Sequence, residues 1–119
     1  MTLKRVVVTG IGSISPVGSN AKETWENVVK GVCGIDLITH YDTTNFKTKF
    51  ACEVKNYDPL QYFDRKELKR IDKFTQFAII ASDEAIKDSG IDFESIDKSK
   101  AGVIWSSGIG GVETFLEEI

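Results

Sequence analysis

Two glycine-rich turns are the first features of this sequence that could carry chemistry. The earlier turn follows a run of valines and contains Gly10, Gly12 and Gly18. Glycines after a strand can let the pyrophosphate of a dinucleotide approach the backbone at a helix N-terminus. The spacing argues against such a site, because Ser15 stands where a G-x-G-x-x-G motif needs its third glycine. We therefore favour a structural turn over a nucleotide-binding loop.

Two cysteines and one histidine are further candidates for catalysis. A reactive thiol needs a cation or a helix N-terminus to stabilise its thiolate. Cys33 and Cys52 lie among apolar residues, which favours core or turn positions over nucleophilic roles. Without a secretory signal the pair does not indicate a disulfide framework. His40 is the only histidine in the chain, so the sequence predicts no His-rich metal site.

Four cations lie close together in the middle of the chain, and we call them the basic cluster: Arg65, Lys66, Lys69 and Arg70. On a helix these positions share one flank, while Leu68 and Ile71 can turn inward. Taken alone, such a cluster is typical of a solvated helix face.

Three apolar segments have the pattern of β-strands. Residues 3–8 and 101–105 are apolar along most of their length, and residues 50–54 alternate apolar and polar side chains. Because helical patterns separate them, they favour an α/β fold whose parallel strands need helical crossovers. Three strands make a small sheet, so we expect the missing strands and cover to come from sequence after residue 119 or from another chain.

Four segments have the pattern of helices. Asn20 with Glu23 and Asp64 with Glu67 resemble capping boxes at the starts of two of them. An apolar stripe over residues 74–85 predicts a longer helix that ends at Gly90. The pattern over residues 112–119 runs out without a glycine, proline or basic last turn, which predicts that the chain is cut there.

Composition indicates a soluble globular domain. Hydrophobic residues make up 41% of the chain and charged residues 28%, with a formal net charge of -3. This charge is too small to indicate a nucleic-acid or membrane surface. The valine run behind Lys4 and Arg5 is too short for a secretory signal or a spanning helix. We therefore expect a cytoplasmic protein, with one domain at most in 119 residues.

Six segments carry a resemblance to a known family: residues 6–18, 34–46, 49–54, 65–72, 88–90 and 107–111. In order and spacing they resemble the opening of the bacterial 3-oxoacyl-[acyl-carrier-protein] synthases of type II. These are the β-ketoacyl synthases that elongate fatty acids. We interpret residues 1–119 as the N-terminal portion of the N-terminal domain of such a synthase.

The resemblance implies a thiolase-like α/β fold with two similar halves in a layered αβαβα arrangement. Only the first part of the N-terminal half would be present here, and a homodimer is expected. The implied reaction is the decarboxylative Claisen condensation of acyl-ACP with malonyl-ACP, where ACP is acyl carrier protein, giving 3-oxoacyl-ACP and CO2. No cofactor and no metal are implied, because the phosphopantetheine of ACP carries the substrate.

The resemblance also implies where the functional residues lie. Neither cysteine stands in a Thr-Ala-Cys motif, so the catalytic cysteine and two histidines should follow Ile119, and the isolated chain should be inactive. Lys66, Lys69 and Arg70 would contact the acidic surface of ACP. Ile109 would stand at the gate of the acyl pocket.

Two other functions remain open from the sequence. One is a non-catalytic homologue resembling a chain-length factor, which has lost its cysteine and only shapes the pocket of a partner subunit. The other is a nucleotide-binding α/β domain, for which the glycine spacing gives little support.

Overall fold

The structure, a computed structural model, describes residues 3–119, which form two compact units. Unit 1 comprises the described residues up to Gly12 together with Pro59–Ile119, and unit 2 comprises Ser13–Asp58. Within residues 3–119, no helix combines the length and the apolar character that crossing a bilayer requires.

Unit 2 contains the first helix, α1, which spans Ala21–Val29. Asn20 caps it, because its side-chain oxygen accepts a hydrogen bond from Glu23 N at 2.8 Å. The Glu23 carboxylate accepts in return from Ser19 N at 2.7 Å, and the Ser19 hydroxyl lowers the pKa of Glu23. The predicted helix start is confirmed, although the reciprocal bond reaches Ser19 rather than Asn20.

A two-stranded antiparallel sheet follows in unit 2. Strand β1 (Ile35–Leu37) pairs with β2 (Phe50–Cys52), with Asp36 opposite Ala51. A short ion pair extends the pairing, because Lys55 Nζ lies 2.7 Å from Asp36 Oδ2. The predicted strand at residues 50–54 pairs with β1, for which no strand was predicted, and not in parallel with residues 3–8 or 101–105. The two strands are close enough along the chain to form a hairpin.

The predicted burial of β2 is also wrong. Phe50 and Cys52 are exposed, whereas Ala51 is half-buried. Cys33 is exposed as well, so neither cysteine is a core residue in the structure. A pair of short strands has too few side chains to cover both of its own faces, which leaves these residues open to solvent.

Unit 1 contains the remaining helices. They are α2 (Arg65–Leu68), α3 (Lys73–Ser89) and α4 (Val112–Glu117), with 3-10 turns at Pro59–Gln61 and Lys98–Lys100. Helix α3 ends as predicted, because Gly90 adopts a left-handed conformation with φ 62°. All three helices were predicted, with α4 two residues shorter than its apolar pattern.

The core of unit 1 lies on α3. Among residues 3–119 the buried side chains are those of Ala78, Ile80, Ala81 and Gln76, and all four belong to this helix. The amide of Gln76 donates to the Ile71 carbonyl oxygen at 3.0 Å, so this buried polar group is hydrogen-bonded.

An extended segment through Gly10 and Gly12 lies directly against α3. A Cβ at Gly12 would collide with the carbonyl oxygen of Ala81, and one at Gly10 would come within 2.6 Å of Ser89 N. A hydrogen bond fixes the segment between the two glycines, because Ile11 N donates to Asp88 Oδ2 at 2.9 Å. Close packing on α3 therefore explains the two glycines without a nucleotide.

Residues 3–8 and 101–105 do not form strands, contrary to the prediction. Both segments lack a pairing partner, and their apolar side chains are open, with Val6 92% and Ile104 99% exposed. A strand exists only where a neighbour supplies its hydrogen bonds, so a β-branched sequence alone cannot form one.

We predict that Gly12→Ala lowers the free energy of unfolding by about 1–3 kcal/mol, because the added methyl group collides with the α3 backbone. Gly108→Ala is the matched control, since no atom lies within 4 Å of a Cβ at that position. It should change stability by less than about 0.5 kcal/mol. Urea unfolding monitored by circular dichroism measures both, and equal stabilities of the two variants would contradict the proposed packing.

Candidate functional site

The basic cluster begins on α2, whose start is fixed by a complete capping box. Asp64 Oδ1 accepts hydrogen bonds from Lys66 N at 2.7 Å and Glu67 N at 2.8 Å. Glu67 Oε2 accepts from Asp64 N at 3.1 Å, which closes the box as the sequence predicted. This cap fixes the first turn of α2, which carries Arg65 and Lys66.

The second half of the basic cluster lies in a turn rather than on the helix. Helix α2 ends at Leu68, Lys69 is its C-cap, and Arg70 N donates to Glu67 O at 2.8 Å. All four cations are exposed, while Leu68 and Ile71 are half-buried as predicted. Within the part of the chain that the structure describes, none of the four cations has an ion-pair partner. Their charge is therefore available to an anionic surface.

A cleft of about 590 Å³ adjoins the basic cluster. One wall comes from residues 68–77, including Lys69 and Arg70, and the other from residues 110–117. The two walls carry both signs of charge, since Lys73 Nζ lies 3.6 Å from Glu113 Oε2 across the cleft. Lys66 does not line the cleft, so the structure brings only two of the three predicted docking residues to it.

The second glycine-rich turn, residues 107–111, leads into α4, and we call it the Ile109 loop. Ser107 Oγ accepts from Gly110 N at 2.7 Å, and Gly110 has φ 81°, a conformation that favours glycine. The side chain of Ile109 is 85% exposed and does not line the cleft. Its place at the gate of an acyl pocket stays a prediction.

A contact between α3 and α4 was not found from the sequence. The Thr114 hydroxyl donates to Asp72 Oδ1, and a Cβ at Gly111 would lie 2.7 Å from the same oxygen. An aspartate directly before a helix is a recognisable N-cap signal, but the structure shows no capping bond from the Asp72 side chain. The carboxylate is turned towards α4 instead.

The remaining candidates lie in unit 2 and form no catalytic constellation there. His40 Nε2 lies 3.9 Å from Glu53 Oε1, and the Thr39 hydroxyl lowers the pKa of Glu53 by donating to its carboxylate at 2.7 Å. These contacts join the residues that follow β1 to the residue that follows β2. Among residues 3–119 no group of three or more His, Cys, Asp or Glu side chains could hold a metal ion.

Comparison with known proteins identifies the family. The sequence matches the family described as "Beta-ketoacyl synthase, N-terminal domain" over residues 3–118. The chain belongs to the β-ketoacyl synthase family. The resemblance inferred from the six segments is thereby confirmed, and a dinucleotide-binding domain is no longer a reasonable alternative.

Two relatives show how much of a β-ketoacyl synthase the chain spans. It is 49% identical over 112 residues to 3-oxoacyl-[acyl-carrier-protein] synthase 2 of Staphylococcus aureus strain COL, covering 94% of this chain and 27% of that protein. It is 43% identical over 113 residues to the protein of the same name from Vibrio cholerae serotype O1, covering 95% and 27%. The chain therefore spans little more than a quarter of the length of these relatives.

Solved ketosynthase structures confirm the predicted α/β thiolase-like class. The ishigamide ketosynthase/chain length factor matches with a TM-score of 0.67 at 30% identity, over 76% of this chain and 22% of that one. A type II polyketide acyl-carrier protein in complex with its ketosynthase, AntDE:AntF, matches with a TM-score of 0.60 at 26% identity, over 81% and 25%.

Proposed function

We propose that the complete protein is a 3-oxoacyl-[acyl-carrier-protein] synthase of fatty acid biosynthesis. One observation carries this proposal: two proteins with that name match 94% and 95% of the chain at 49% and 43% identity. The substrates would be acyl-ACP and malonyl-ACP, and the products 3-oxoacyl-ACP and CO2.

The proposed reaction is a decarboxylative Claisen condensation. A cysteine thiolate takes the acyl group from ACP as a thioester, and the carrier thiol leaves. Malonyl-ACP then loses CO2, and the electron pair of the broken C–C bond forms a carbanion that attacks the thioester carbonyl carbon. Backbone amides stabilise the developing oxyanion, and the departing cysteine thiolate is ready for the next cycle.

We place the catalytic cysteine and its two histidines beyond Ile119. Cys33 and Cys52 are both exposed, and neither stands in a Thr-Ala-Cys motif. His40 faces a carboxylate on the hairpin rather than a thiol. On this proposal residues 1–119 contribute binding surfaces and part of the fold, but no reacting group.

Lys66, Lys69 and Arg70 are the proposed docking residues for ACP. Support comes from their exposure and from the lack of ion-pair partners among the described residues. Unpaired surface cations attract an acidic partner and orient it, which raises the rate of encounter more than the final affinity. The AntDE:AntF structure holds a ketosynthase together with an acyl-carrier protein.

The remaining parts of the proposal follow from the family. We propose a cytoplasmic homodimer that needs no cofactor, because ACP carries the substrate on its own phosphopantetheine. A non-catalytic partner resembling a chain-length factor is the less favoured alternative, since the two relatives above are named as synthases. A Thr-Ala-Cys segment and two histidine motifs after residue 119 would support the enzyme, and a substituted cysteine the alternative.

The reaction is tested by incubating the complete protein with acyl-ACP and radiolabelled malonyl-ACP. We expect one CO2 released for each 3-oxoacyl-ACP formed. The polypeptide of residues 1–119 is the control, and it should release none. Condensation by that polypeptide, or no condensation by the complete protein, would contradict the proposed division of function.

Reversal of the docking charges should weaken the use of carrier-bound substrates. We expect the triple variant Lys66→Glu, Lys69→Glu, Arg70→Glu to lower kcat/KM for acyl-ACP about tenfold or more, because it repels an acidic carrier. Activity with acyl-pantetheine and malonyl-pantetheine thioesters, which have no carrier surface, should not change.

The matched control for this experiment reverses three exposed lysines elsewhere in the chain: Lys22, Lys30 and Lys87. It changes the net charge by the same amount and should leave kcat/KM for acyl-ACP within about twofold. Equal losses in the two triple variants would indicate a general charge effect and would refute a specific docking site.

We predict that Ile109→Ala broadens the range of acyl-chain lengths that the complete enzyme accepts. The smaller side chain would open the proposed gate, so kcat/KM for poorly used chains should rise about fivefold relative to the preferred one. The measurement uses a series of saturated acyl-pantetheine substrates with malonyl-pantetheine as the second substrate, which keeps carrier docking out of the result. An unchanged chain-length profile would contradict the proposal that Ile109 gates the acyl pocket.

A further inference from the structure

The carboxylate of Asp72 does not cap the helix that it precedes. Asp72 is the N-cap of α3, a helix of 17 residues, yet its side chain makes no capping hydrogen bond. An aspartate at this position ordinarily accepts from a backbone N–H in the first turn. It is therefore a half-buried anionic acceptor that is free to bind another element.

That element is the start of α4. The Thr114 hydroxyl donates to Asp72 Oδ1, which joins residues 42 positions apart in the sequence. The carboxylate also lies against the backbone of Gly111, where a Cβ would come within 2.7 Å of Oδ1. Only glycine at position 111 allows this approach, because real Cβ atoms do not come that close to an oxygen.

Two neighbouring contacts join the same two elements. Lys73 Nζ lies 3.6 Å from Glu113 Oε2, and the ring of Phe74 lies 3.8 Å from the Cβ position of Gly110. The N-cap residue Asp72 and the first two residues of α3 thus contact the last two glycines of the Ile109 loop and the first turn of α4. The loop is fixed at its C-terminal side, while the Ile109 side chain projects into solvent.

Asp72 is also close to the basic cluster along the chain, because it follows Arg70 by two residues. The residue between them, Ile71, is held by the buried Gln76, whose amide donates to the Ile71 carbonyl oxygen at 3.0 Å. The turn that carries Lys69 and Arg70 is thus attached to the same N-terminal end of α3 that holds the Ile109 loop.

We propose that Asp72 is a positioning residue that holds the Ile109 loop through Thr114 and Gly111. It thereby links the turn of Lys69 and Arg70, which would dock ACP, to Ile109, which would gate the acyl pocket. The inference rests on the proposed function for the roles of the two linked sites. Asp72 itself contacts no substrate.

The test compares Thr114→Val with Thr114→Ser in the complete protein. Valine removes the hydroxyl donor and keeps the branched shape, whereas serine keeps the donor. We expect Thr114→Val to change the ratio of kcat/KM between long and short acyl-pantetheine substrates about fivefold, and Thr114→Ser to retain the wild-type ratio. If the role of Asp72 were purely structural, Thr114→Val would lower kcat/KM for all chain lengths by the same factor, because overall stability does not discriminate between chain lengths.

A second pair of variants tests the backbone contact. Gly111→Ala should displace the loop from Asp72 and shift the chain-length ratio as Thr114→Val does. Gly102→Ala is its matched control, because no atom lies within 4 Å of a Cβ there. It should retain the wild-type ratio.

A double variant separates this inference from the proposed function. If the loop acts through Ile109, Thr114→Val should have no further effect on the chain-length ratio in an Ile109→Ala background. The role of Asp72 would be overturned if Thr114→Val and Gly111→Ala both kept the wild-type chain-length ratio while the protein still condensed its substrates. The proposed function would not be affected by that result. Failure of the wild-type protein to condense acyl-ACP with malonyl-ACP would overturn the proposed function instead.

Discussion

The close approach of a glycine-containing backbone segment to helix α3 is the constraint on which unit 1 depends. Gly10 and Gly12 lie against carbonyl oxygens and amides of the helix, at a distance that no side chain would permit. The same helix holds every buried side chain among the described residues. Its N-terminal end in turn binds the start of α4 through Asp72 and Lys73. One helix therefore positions both the glycine segment and the loop that carries Ile109.

Local signals in the sequence were sufficient for the helices. The capping box of Asp64 and Glu67, the cap at Asn20 and the left-handed Gly90 each depend on residues only a few positions apart. Strands differ, because a strand needs hydrogen bonds from a neighbour that local sequence does not specify. Val6 and Ile104 stand in segments of high β-propensity, yet neither segment has a partner among the described residues. The predicted burial of Cys52 failed for the same reason, since burial is a property of the neighbouring elements.

In the candidate site, too, features set by neighbouring residues were predictable and contacts between distant residues were not. The basic cluster was visible in the sequence, because charges at helical spacing predict one exposed flank whether or not the helix ends within it. The contact of Asp72 with Thr114 was not visible, since the two residues are separated by 42 positions and an aspartate before a helix indicates only a local cap. Family membership was predictable because it depends on several ordered motifs. The orientation of Ile109 was not, because it depends on how α4 is held.

The two unpaired apolar segments, residues 3–8 and 101–105, have a consequence for association between copies of the chain. Leu3 and Val6, in the first of these segments, are 94% and 92% exposed in the structure. Extended segments rich in β-branched residues readily form intermolecular hydrogen bonds when nothing covers them. Two copies of the chain would therefore present the same uncovered segments to each other. Association between copies is favoured wherever no other part of the protein or partner covers these segments.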